Sequence, residues 1–315
     1  MTADRIAEVP GTAPMSVAIA VITYRRPDQL AALLAGLQAQ DLRDPDRWQV
    51  RIVVVDNDAE RSAAPVLAEV RGPYPVTAGV EPEPGIPFAR QTSVDLCAGD
   101  DAVVFVDDDE VPPPGWLQRL LDTWRTSGAD VVTGPVVGRL PADAPAWARH
   151  SDVYTSVGRH RTGERIDRAY TNNTLVSRAV LDAVTPAFHP AFRFSGSSDL
   201  HFFLRVHRAG YAIVWDDEAP ITEIVPSLRV SLRWLARRAF RSGAGDTISR
   251  RLITPGWRSV LVCAGLGTAR IGNGLVLLVI GLVDPRSRIK GLRRLVSGIG
   301  SWAGLFGVNY DEYQR

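Results

Sequence analysis

Short apolar runs alternate with amphipathic stretches along the first 137 residues, and no other feature constrains the fold as strongly. Runs of this length predict buried strands, and they lie at residues 16–22, 51–55, 75–80, 103–106 and 130–137. The stretches between them have the 3.6-residue period of helices, as in Leu30, Leu33, Leu34 and Leu37. This alternation predicts an α/β protein with a mixed, mostly parallel, Rossmann-like sheet flanked by helices.

The charge distribution divides the 315 residues into regions with different expected partners. Residues 1–15 are mainly polar and contain two prolines, which predicts a disordered N-terminal tail. Residues 16–226 form the predicted main domain. Residues 1–226 contain 21 basic and 31 acidic residues, whereas residues 227–315 contain 15 basic and four acidic ones. An acidic main domain followed by a basic, partly apolar helical region indicates two kinds of partner.

Several common site types are absent from the sequence. The turn after the first strand is Thr-Tyr-Arg-Arg rather than GxGxxG, and no GxxxxGK[ST] phosphate loop occurs. The histidines show neither HExxH nor paired spacing, so a zinc site is not expected. Cys97 and Cys263 lie in apolar surroundings without a CxxC pattern, and the first 15 residues lack an apolar signal segment. We therefore expect a cytoplasmic setting.

The predicted strand at residues 103–106 runs directly into four acids, Asp107, Asp108, Asp109 and Glu110. Adjacent carboxylates repel one another, and this costs stability unless a cation neutralises them. A divalent-metal site is one interpretation, since Mg²⁺ and Mn²⁺ prefer carboxylate oxygens. A solvated acidic turn is the other. We expect Glu110 to be only a charge at the entry to the next helix. The acid run alone does not decide between the two interpretations.

Polar loops follow three of the predicted strands, at residues 23–26, 56–58 and 107–110. Loops after parallel strands gather at one edge of the sheet. One crevice there would hold a base-recognising acid, Asp56, basic contacts from Arg25 and Arg90, and a metal. That set matches the chemistry of a nucleoside diphosphate whose oxygens bind Mg²⁺ or Mn²⁺. For Asp56 the alternative is an Asx turn at the strand end.

Six short segments, in this order, resemble the family-2 inverting glycosyltransferases, whose nucleotide-sugar domain has the GT-A type fold. They are Val-Ile-Thr-Tyr-Arg-Arg at 21–26, Val-Val-Val-Asp-Asn at 53–57, Gly-Ile-Pro-Phe-Ala-Arg at 85–90, Phe-Val-Asp-Asp-Asp at 105–109, Asn172-Asn173, and Gly-Ser-Ser-Asp-Leu-His-Phe-Phe-Leu-Arg at 196–205. Each segment is weak evidence alone, whereas their order and spacing together are specific. The resemblance covers roughly residues 16–241 and implies that 16–226 is a catalytic domain.

The resemblance assigns roles to the residues at the sheet edge. It implies that Asp109 contacts the metal and that Asp107, the other acid of the DxD motif, contacts the sugar or ribose side of the donor. We predict both as metal-site residues, with Mg²⁺ or Mn²⁺ as cofactor. The residues that match donor-binding positions are Thr23, Tyr24, Arg25, Asp56, Arg90, Asp107 and Asp108.

Asp199 matches the position of the catalytic base. Attack of an acceptor hydroxyl on the sugar requires one carboxylate to take its proton. The alternative is that Asp199 caps the helix beginning there, although Ser197 and Ser198 could do this instead. The family usually has Glu-Asp here, so Ser198 removes an acidic neighbour and weakens inference about the acceptor. Asn173 and His201 are further candidate acceptor contacts, with a helix-surface position as the alternative for His201.

A cluster of arginines follows residue 226 on a predicted helix from Ser227 to Arg241. Arg233, Arg237 and Arg241 share one helix face because they are spaced by four residues. Guanidinium groups suit a diphosphate or a lipid phosphate, so Arg237, Arg238 and Arg241 are candidate acceptor or phosphate contacts. A solvated basic face is the alternative. Nucleic-acid binding is not expected, since the front of the chain is acidic and no binding motif occurs.

Residues 257–308 consist mainly of apolar and small residues, with arginines between them. Such composition is typical of helices lying on an anionic membrane surface, here the inner face of the membrane. Packing on the catalytic domain, an oligomer interface and a single span at 257–283 are the alternatives.

The sequence as a whole predicts a metal-dependent inverting transferase that moves a sugar from a nucleotide-diphosphate sugar to a hydroxyl acceptor. The expected acceptor is a lipid-linked or cell-surface glycan precursor. A sugar nucleotidyltransferase and a non-catalytic membrane-docked interaction protein of the same fold are the competing hypotheses.

Overall fold

A computed structural model describes residues 13–149 and 151–308 of the chain. The predicted N-terminal tail, residues 1–15, lies outside these residues except for its last three, and Met15 already begins the first strand. The following labels number the elements in chain order.

A parallel four-stranded half-sheet forms from the first part of the chain, as the alternation predicts. Its strands lie in the order β3-β2-β1-β4, so the chain winds outward from β1 in both directions. Pro27 occupies the first turn of α1, where its missing N–H is not needed. The elements are β1 (Met15–Thr23), α1 (Pro27–Gln38), β2 (Trp48–Asp56), α2 (Ala64–Glu69), β3 (Val76–Val80), α3 (Ile86–Leu96) and β4 (Ala102–Asp107).

The second part extends this sheet to eight strands and adds a three-stranded one. The order continues as β4-β9-β6-β10-β8, and the small sheet is β5-β11-β7. Strand β9 runs antiparallel to both its neighbours, which makes the sheet mixed. The elements are β5 (Glu110–Val111), α4 (Trp116–Ser127), β6 (Val131–Thr133), β7 (Val136–Arg139), α5 (Ala146–Arg149), β8 (Arg165–Ile166), β9 (Thr174–Ser177), α6 (Arg178–Ala183), α7 (Ser198–Arg208), β10 (Ile213–Trp215) and β11 (Ile221–Ile224).

The predicted single strand at residues 130–137 is wrong. The chain leaves the large sheet after Thr133 and joins the small sheet at Val136, so β6 and β7 belong to different sheets. Gly134 makes this step possible, because a Cβ there would lie 2.5 Å from the Ala219 carbonyl oxygen. Because of this break, Glu110, Val136 and Glu223 of the small sheet line the cleft described below.

Apolar side chains fill both faces of the large sheet. On one face Val17, Ile19 and Val21 of β1 pack with the leucines of α1 and with α4. On the other face Ala18 and Ala20 pack with α3, α6 and α7. Alternate residues of β1 therefore enter opposite cores, as the two-residue period of a strand requires. This leaves only the strand ends free for polar chemistry.

Three long helices form the C-terminal region, α8 (Leu232–Ile253), α9 (Trp257–Ile280) and α10 (Pro285–Leu305). The predicted helix start at Ser227 is wrong by one turn, because residues 227–229 form a separate short turn. Ser231 instead caps α8, its side chain accepting a hydrogen bond from Trp234 N–H.

Close backbone contacts hold α10 against both other helices of the tail. A Cβ on Gly243 of α8 would overlap the carbonyl of Ser297 in α10, and one on Gly274 of α9 would lie 2.5 Å from Leu295 N. Helices that touch through glycine approach more closely than side chains would permit. The tail is therefore packed as one unit against the rest of the chain.

One side of α9 and the turn after it expose large apolar side chains. Trp257, Leu261 and Val279 are 69%, 61% and 67% exposed, and Leu282 and Val283 continue the surface beyond the helix. Among the described residues, α9 alone is long and apolar enough to cross a bilayer, judged by length and composition. Its inner side, however, packs along α10.

Candidate active site

A cleft of about 850 Å³ opens at the carboxyl ends of β1, β2 and β4. This is the sheet edge at which α/β proteins bind ligands. The part of the chain that forms the two sheets lines one wall, and helices α8 to α10 contribute to the other. Asp107, Asp108 and Asp109 line the cleft at the ends of the strands, and several arginines of the tail line it on the other side.

The four acids after β4 occupy three different environments at the head of this cleft. Asp107 faces the open space with 37% of its side chain exposed, and Arg90 Nη2 lies 3.0 Å from its Oδ1. Asp107 N–H donates to Glu110 Oε2 at 2.9 Å, which holds the turn closed. Asp107 is thus the acid of the run most accessible to a ligand.

Asp108 and Asp109 point inward and share one arginine. Thr23 Oγ1 donates to Asp108 Oδ2 at 2.8 Å, and Arg26 Nη1 lies 2.8 Å from Asp108 Oδ1 and 3.2 Å from Asp109 Oδ2. Burial raises the pKa of Asp108 to about 6, although Arg26 opposes the rise. Burial and the Asp107 charge also raise the pKa of Asp109. A cation bound here would therefore stabilise the ionised forms of two largely buried carboxyl groups.

Glu110 is not the helix-entry charge that the sequence predicts. It lies in β5 opposite Glu223 of β11 and is almost fully buried. Burial raises its pKa well above the usual range, and the Asp107 charge adds to this. Arg229 stands 2.9 Å from Glu223 and 3.5 Å from Asp109, so it joins the two acidic groups.

Asp199 reaches the same cleft from the second half of the chain, in the first turn of α7. Burial raises the pKa of its carboxyl, while the Arg90 charge holds it lower. The expectation that Ser197 or Ser198 caps this helix is wrong, because Ser197 makes no side-chain cap and the Ser198 hydroxyl has no partner among the described residues. Asp199 Oδ1 accepts the Leu200 N–H at 2.7 Å.

The residues at the cleft head fit a hard divalent cation. Asp107 and Asp109 offer oxygen ligands, and Arg26 already places positive charge beside Asp109. No group of three or more His, Cys, Asp or Glu side chains is arranged as a metal cage within the described residues. Mg²⁺ and Mn²⁺ suit such a partial site, because they keep waters and complete their shell with substrate phosphates.

Comparison with known proteins identifies the family. A model of glycosyl transferase family 2 matches residues 18–185, and the succinoglycan biosynthesis protein ExoM of Rhizobium meliloti (strain 1021) is 39% identical over 302 residues, 95% of each chain. The chain belongs to glycosyl transferase family 2. The glycosyltransferase AglE of Haloferax volcanii is 25% identical over 201 residues, which is 63% of this family-2 chain and 64% of AglE.

Solved structures share the fold of this family-2 glycosyltransferase. The mannosyltransferase PcManGT from Pyrobaculum calidifontis, in complex with GDP-Man and Mn²⁺, has a TM-score of 0.59 and 16% identity, covering 94% of this chain and 89% of its own. S. aureus TarS 1–349 in complex with UDP has a TM-score of 0.54 and 14% identity, with 94% and 93% coverage. Identities this low show the fold alone, and the predicted GT-A type architecture is confirmed.

The predicted donor-binding residues of this family-2 glycosyltransferase divide into two groups. Thr23, Tyr24 and Arg90 line the cleft. Asp56 is buried at the end of β2, where it accepts the N–H groups of Asp58 at 3.1 Å and Ala63 at 2.6 Å. This is the Asx turn that the sequence left open as an alternative.

Arg25 also lies outside the cleft lining. Its φ of 52° turns the side chain toward Asp58, with Nε at 2.8 Å from Oδ2, and 54% of it remains exposed. Arg26, which sequence reasoning did not single out, takes the place beside the acids. The sequence indicates the position of Arg26 only through Pro27, which follows it and makes Arg26 the N-cap residue of α1.

Asn173 and His201 lie away from the cleft lining of the family-2 enzyme. Asn173 is fully buried, and its amide bonds to Trp116 Nε1 and to the carbonyls of Pro135 and Ala219. His201 is also buried rather than on a helix surface, since its ring packs on His189 and Phe192. Burial lowers the pKa of His201 to about 4. Asn172 lines the cleft in place of Asn173.

The three predicted phosphate contacts in the tail also divide. Arg238 and Arg241 line the cleft, whereas Arg237 is exposed elsewhere on α8. Arg229 and Glu223, at the other end of the same segment, reach the DxD acids. The cleft of the family-2 glycosyltransferase therefore includes both the catalytic domain and the tail.

Proposed function

We propose that this family-2 glycosyltransferase transfers a sugar, with inversion, from a nucleoside-diphosphate sugar to an acceptor hydroxyl in a metal-dependent reaction. One observation carries the proposal. Asp107 and Asp109 on one side and Asp199 on the other line a single cleft, and Arg90 contacts Asp107 while stabilising the Asp199 charge. A donor diphosphate at the first pair and an acceptor hydroxyl at Asp199 would meet between them.

The residues of the chain divide the work as follows. The oxygen of the acceptor hydroxyl attacks the sugar from the side opposite the diphosphate, and Asp199 accepts the proton that this hydroxyl loses. Its raised pKa keeps it basic enough for this task. Arg90 orients the Asp107 carboxylate toward the donor. When bound at Asp107 and Asp109, Mg²⁺ or Mn²⁺ supplies positive charge for the leaving diphosphate.

The comparisons support the substrate classes. The structural relatives were solved with UDP, or with GDP-Man and Mn²⁺, and both have the fold of this chain. ExoM, at 39% identity, is named for succinoglycan biosynthesis. We therefore propose an acceptor that is a lipid-linked or cell-surface polysaccharide precursor.

The donor site is tested with a panel of nucleotide sugars, each assayed for hydrolysis with Mn²⁺, with Mg²⁺ and with EDTA. Asp199→Asn should lower transfer by about 10²- to 10⁴-fold, because a general base supplies that much, while donor binding persists. Asp109→Asn should lose the metal-dependent donor binding. Asp182→Asn, on the exposed surface of α6, is the matched control. A wild type that binds no donor with either metal would refute the proposal.

We also propose that the tail holds the enzyme on the inner face of an anionic membrane. The exposed apolar face of α9 is bordered by exposed cations, Arg258 at its start and Arg286 and Arg288 after its end. Arg270, inside the apolar segment, turns inward to Asp246 at 2.6 Å. This arrangement favours a helix lying on the surface over one crossing it.

Flotation with liposomes tests the membrane contact. The double substitution Leu282→Ser and Val283→Ser should reduce flotation with phosphatidylglycerol-containing vesicles, since both side chains are more than three-quarters exposed. Leu228→Ser, equally exposed but outside the tail helices, is the control. Equal flotation of all three proteins would contradict this part of the proposal.

A further inference from the structure

The cleft does not end at Asp199 but continues between the catalytic domain and the tail. Its lining there includes Arg159 from the segment between α5 and β8, Arg238 of α8 and Arg294 of α10. All three side chains are exposed to the cleft or to solvent. These three residues, called the arginine annex below, come from three separate elements and converge on one part of the cleft.

Carboxylates near the arginine annex form their ion pairs with other arginines. Glu223 interacts with the Arg238 charge, but its ion pair is with Arg229 at 2.9 Å. Asp246 also lines this part of the cleft, but it is held by Arg270 at 2.6 Å, Arg250 at 3.1 Å and Arg168 at 3.7 Å. Within residues 13–149 and 151–308, none of the three annex arginines forms an ion pair. Arg238 lies over the Trp234 ring at 5.1 Å, which orients the guanidinium without neutralising it.

The positive charges of the annex lower the pKa of a neighbouring arginine. Burial lowers the pKa of Arg293, the neighbour of Arg294 in α10, while its ion pair with Asp152 at 3.3 Å opposes the fall, and the charges of Arg238, Arg159 and Arg294 lower it further. Like charges this close cost free energy that an anion would recover. The structure thus contains a concentrated positive site that nothing in the donor chemistry requires.

The annex is also connected to the reaction centre. Tyr170 lines the cleft between them, and burial followed by the Asp199 charge raises its pKa, while Arg168 and Arg238 act in the opposite direction. A ligand whose hydroxyl lies at Asp199 can therefore place an anionic group at the annex. On the far side of α10 lies α9 with its exposed apolar face.

We propose that Arg159, Arg238 and Arg294 bind the diphosphate of a prenyl-diphosphate-linked acceptor. Planar guanidinium groups bind phosphate oxygens in pairs, and three of them match two adjacent phosphates. The prenyl chain leaves the annex toward the apolar surface of α9. This inference rests on the proposed transferase function, because it assigns the acceptor side of the same cleft.

Binding of farnesyl diphosphate to the full chain, measured by calorimetry in EDTA, tests the annex without any nucleotide sugar or metal. Wild type should bind farnesyl diphosphate at least tenfold more tightly than the Arg238→Gln/Arg294→Gln double variant. Arg233→Gln, an exposed arginine of α8 outside the cleft lining, should bind like wild type. Farnesol should bind at least tenfold more weakly, because it lacks the phosphates.

The outcomes separate this inference from the proposed function. Equal affinity of wild type and double variant, or no binding by wild type, would overturn the annex site. Inorganic diphosphate that binds wild type as tightly as farnesyl diphosphate would overturn the lipid assignment. Donor hydrolysis is measured with wild type and with Arg233→Gln, which should be equal, and hydrolysis missing from both would count against the transferase, not the annex. Circular dichroism of the double variant shows whether it is folded.

Discussion

Replacing Asn173 by alanine should destabilise the protein severely, although its neighbour Asn172 is replaceable. The Asn173 amide makes three buried hydrogen bonds, with Trp116 Nε1 at 2.7 Å and the carbonyls of Ala219 at 2.8 Å and Pro135 at 2.9 Å. Each lost bond costs about 1 kcal/mol, and the groups left unpaired by burial bring the sum to about 3–6 kcal/mol. A typical domain has only about 5–15 kcal/mol in total.

The backbone adds a second, separable contribution. Asn173 has a φ of 58°, in the left-handed region that asparagine tolerates and alanine does not. Alanine there costs about 1 kcal/mol more than glycine. Asn173→Gly should therefore be about 1 kcal/mol more stable than Asn173→Ala, while still lacking all three hydrogen bonds.

Urea unfolding followed by tryptophan fluorescence measures both effects through the midpoint at a shared slope. Asn172→Ala, at a partly exposed cleft position, should stay within about 0.5 kcal/mol of wild type. If Asn173→Ala were as stable as Asn172→Ala, the structural role of Asn173 would be refuted. If it also raised KM for the acceptor, the sequence-based prediction of an acceptor contact would stand instead.

Three further predictions concern packing and pH. Gly243→Ala should lower the free energy of unfolding by about 1–3 kcal/mol, because the new Cβ would overlap the Ser297 carbonyl. Gly265→Ala, on the open surface of α9, should be neutral or stabilising by up to about 1 kcal/mol. Equal thermal midpoints of the two variants would contradict this prediction. The kcat/KM of wild type should fall as pH drops through the raised pKa of Asp199, since only the carboxylate accepts a proton. If kcat/KM of Asp199→Asn fell with the same pH dependence, Asp199 would not be the general base. Burial raises the pKa of Asp108 to about 6, so its ionisation destabilises the fold as pH rises from about 4 to 6, by up to about 3 kcal/mol. Asp108→Asn in EDTA should remove that loss, and a steeper fall of stability with pH would be inconsistent with it.

The sequence predicts the central sheet well because burial and periodicity are local signals. The strands at β1, β2, β3 and β4 and the parallel order around them follow from apolar runs and from helices between them. The break between β6 and β7 could not be predicted this way. It depends on Gly134 passing close to Ala219, a residue 85 positions later in the chain.

The candidate site is predictable in its acids but not in its cations. Asp107, Asp109 and Asp199 all line the cleft where strand-end reasoning and the family resemblance place them together. Whether Arg25 or Arg26 reaches the acids depends on a single backbone angle, the φ of Arg25. Burial of Glu110 depends on β11, which arrives more than 100 residues later.

The position of α10 between the cleft and α9 has a geometric consequence. One face of the α9–α10 hairpin carries Arg294 toward the cleft, and the other presents Leu261 and Val279 outward. A helix with its side chains is about 10 Å across, so the two stacked helices hold the cleft about 20 Å from a surface that contacts the exposed side of α9. In the membrane contact and the annex site that we propose, a prenyl chain whose diphosphate lies at Arg294 would span this distance along the hairpin before it enters the membrane. The thickness of the hairpin would then set the shortest lipid chain with which an acceptor can occupy the annex while it stays anchored in the membrane.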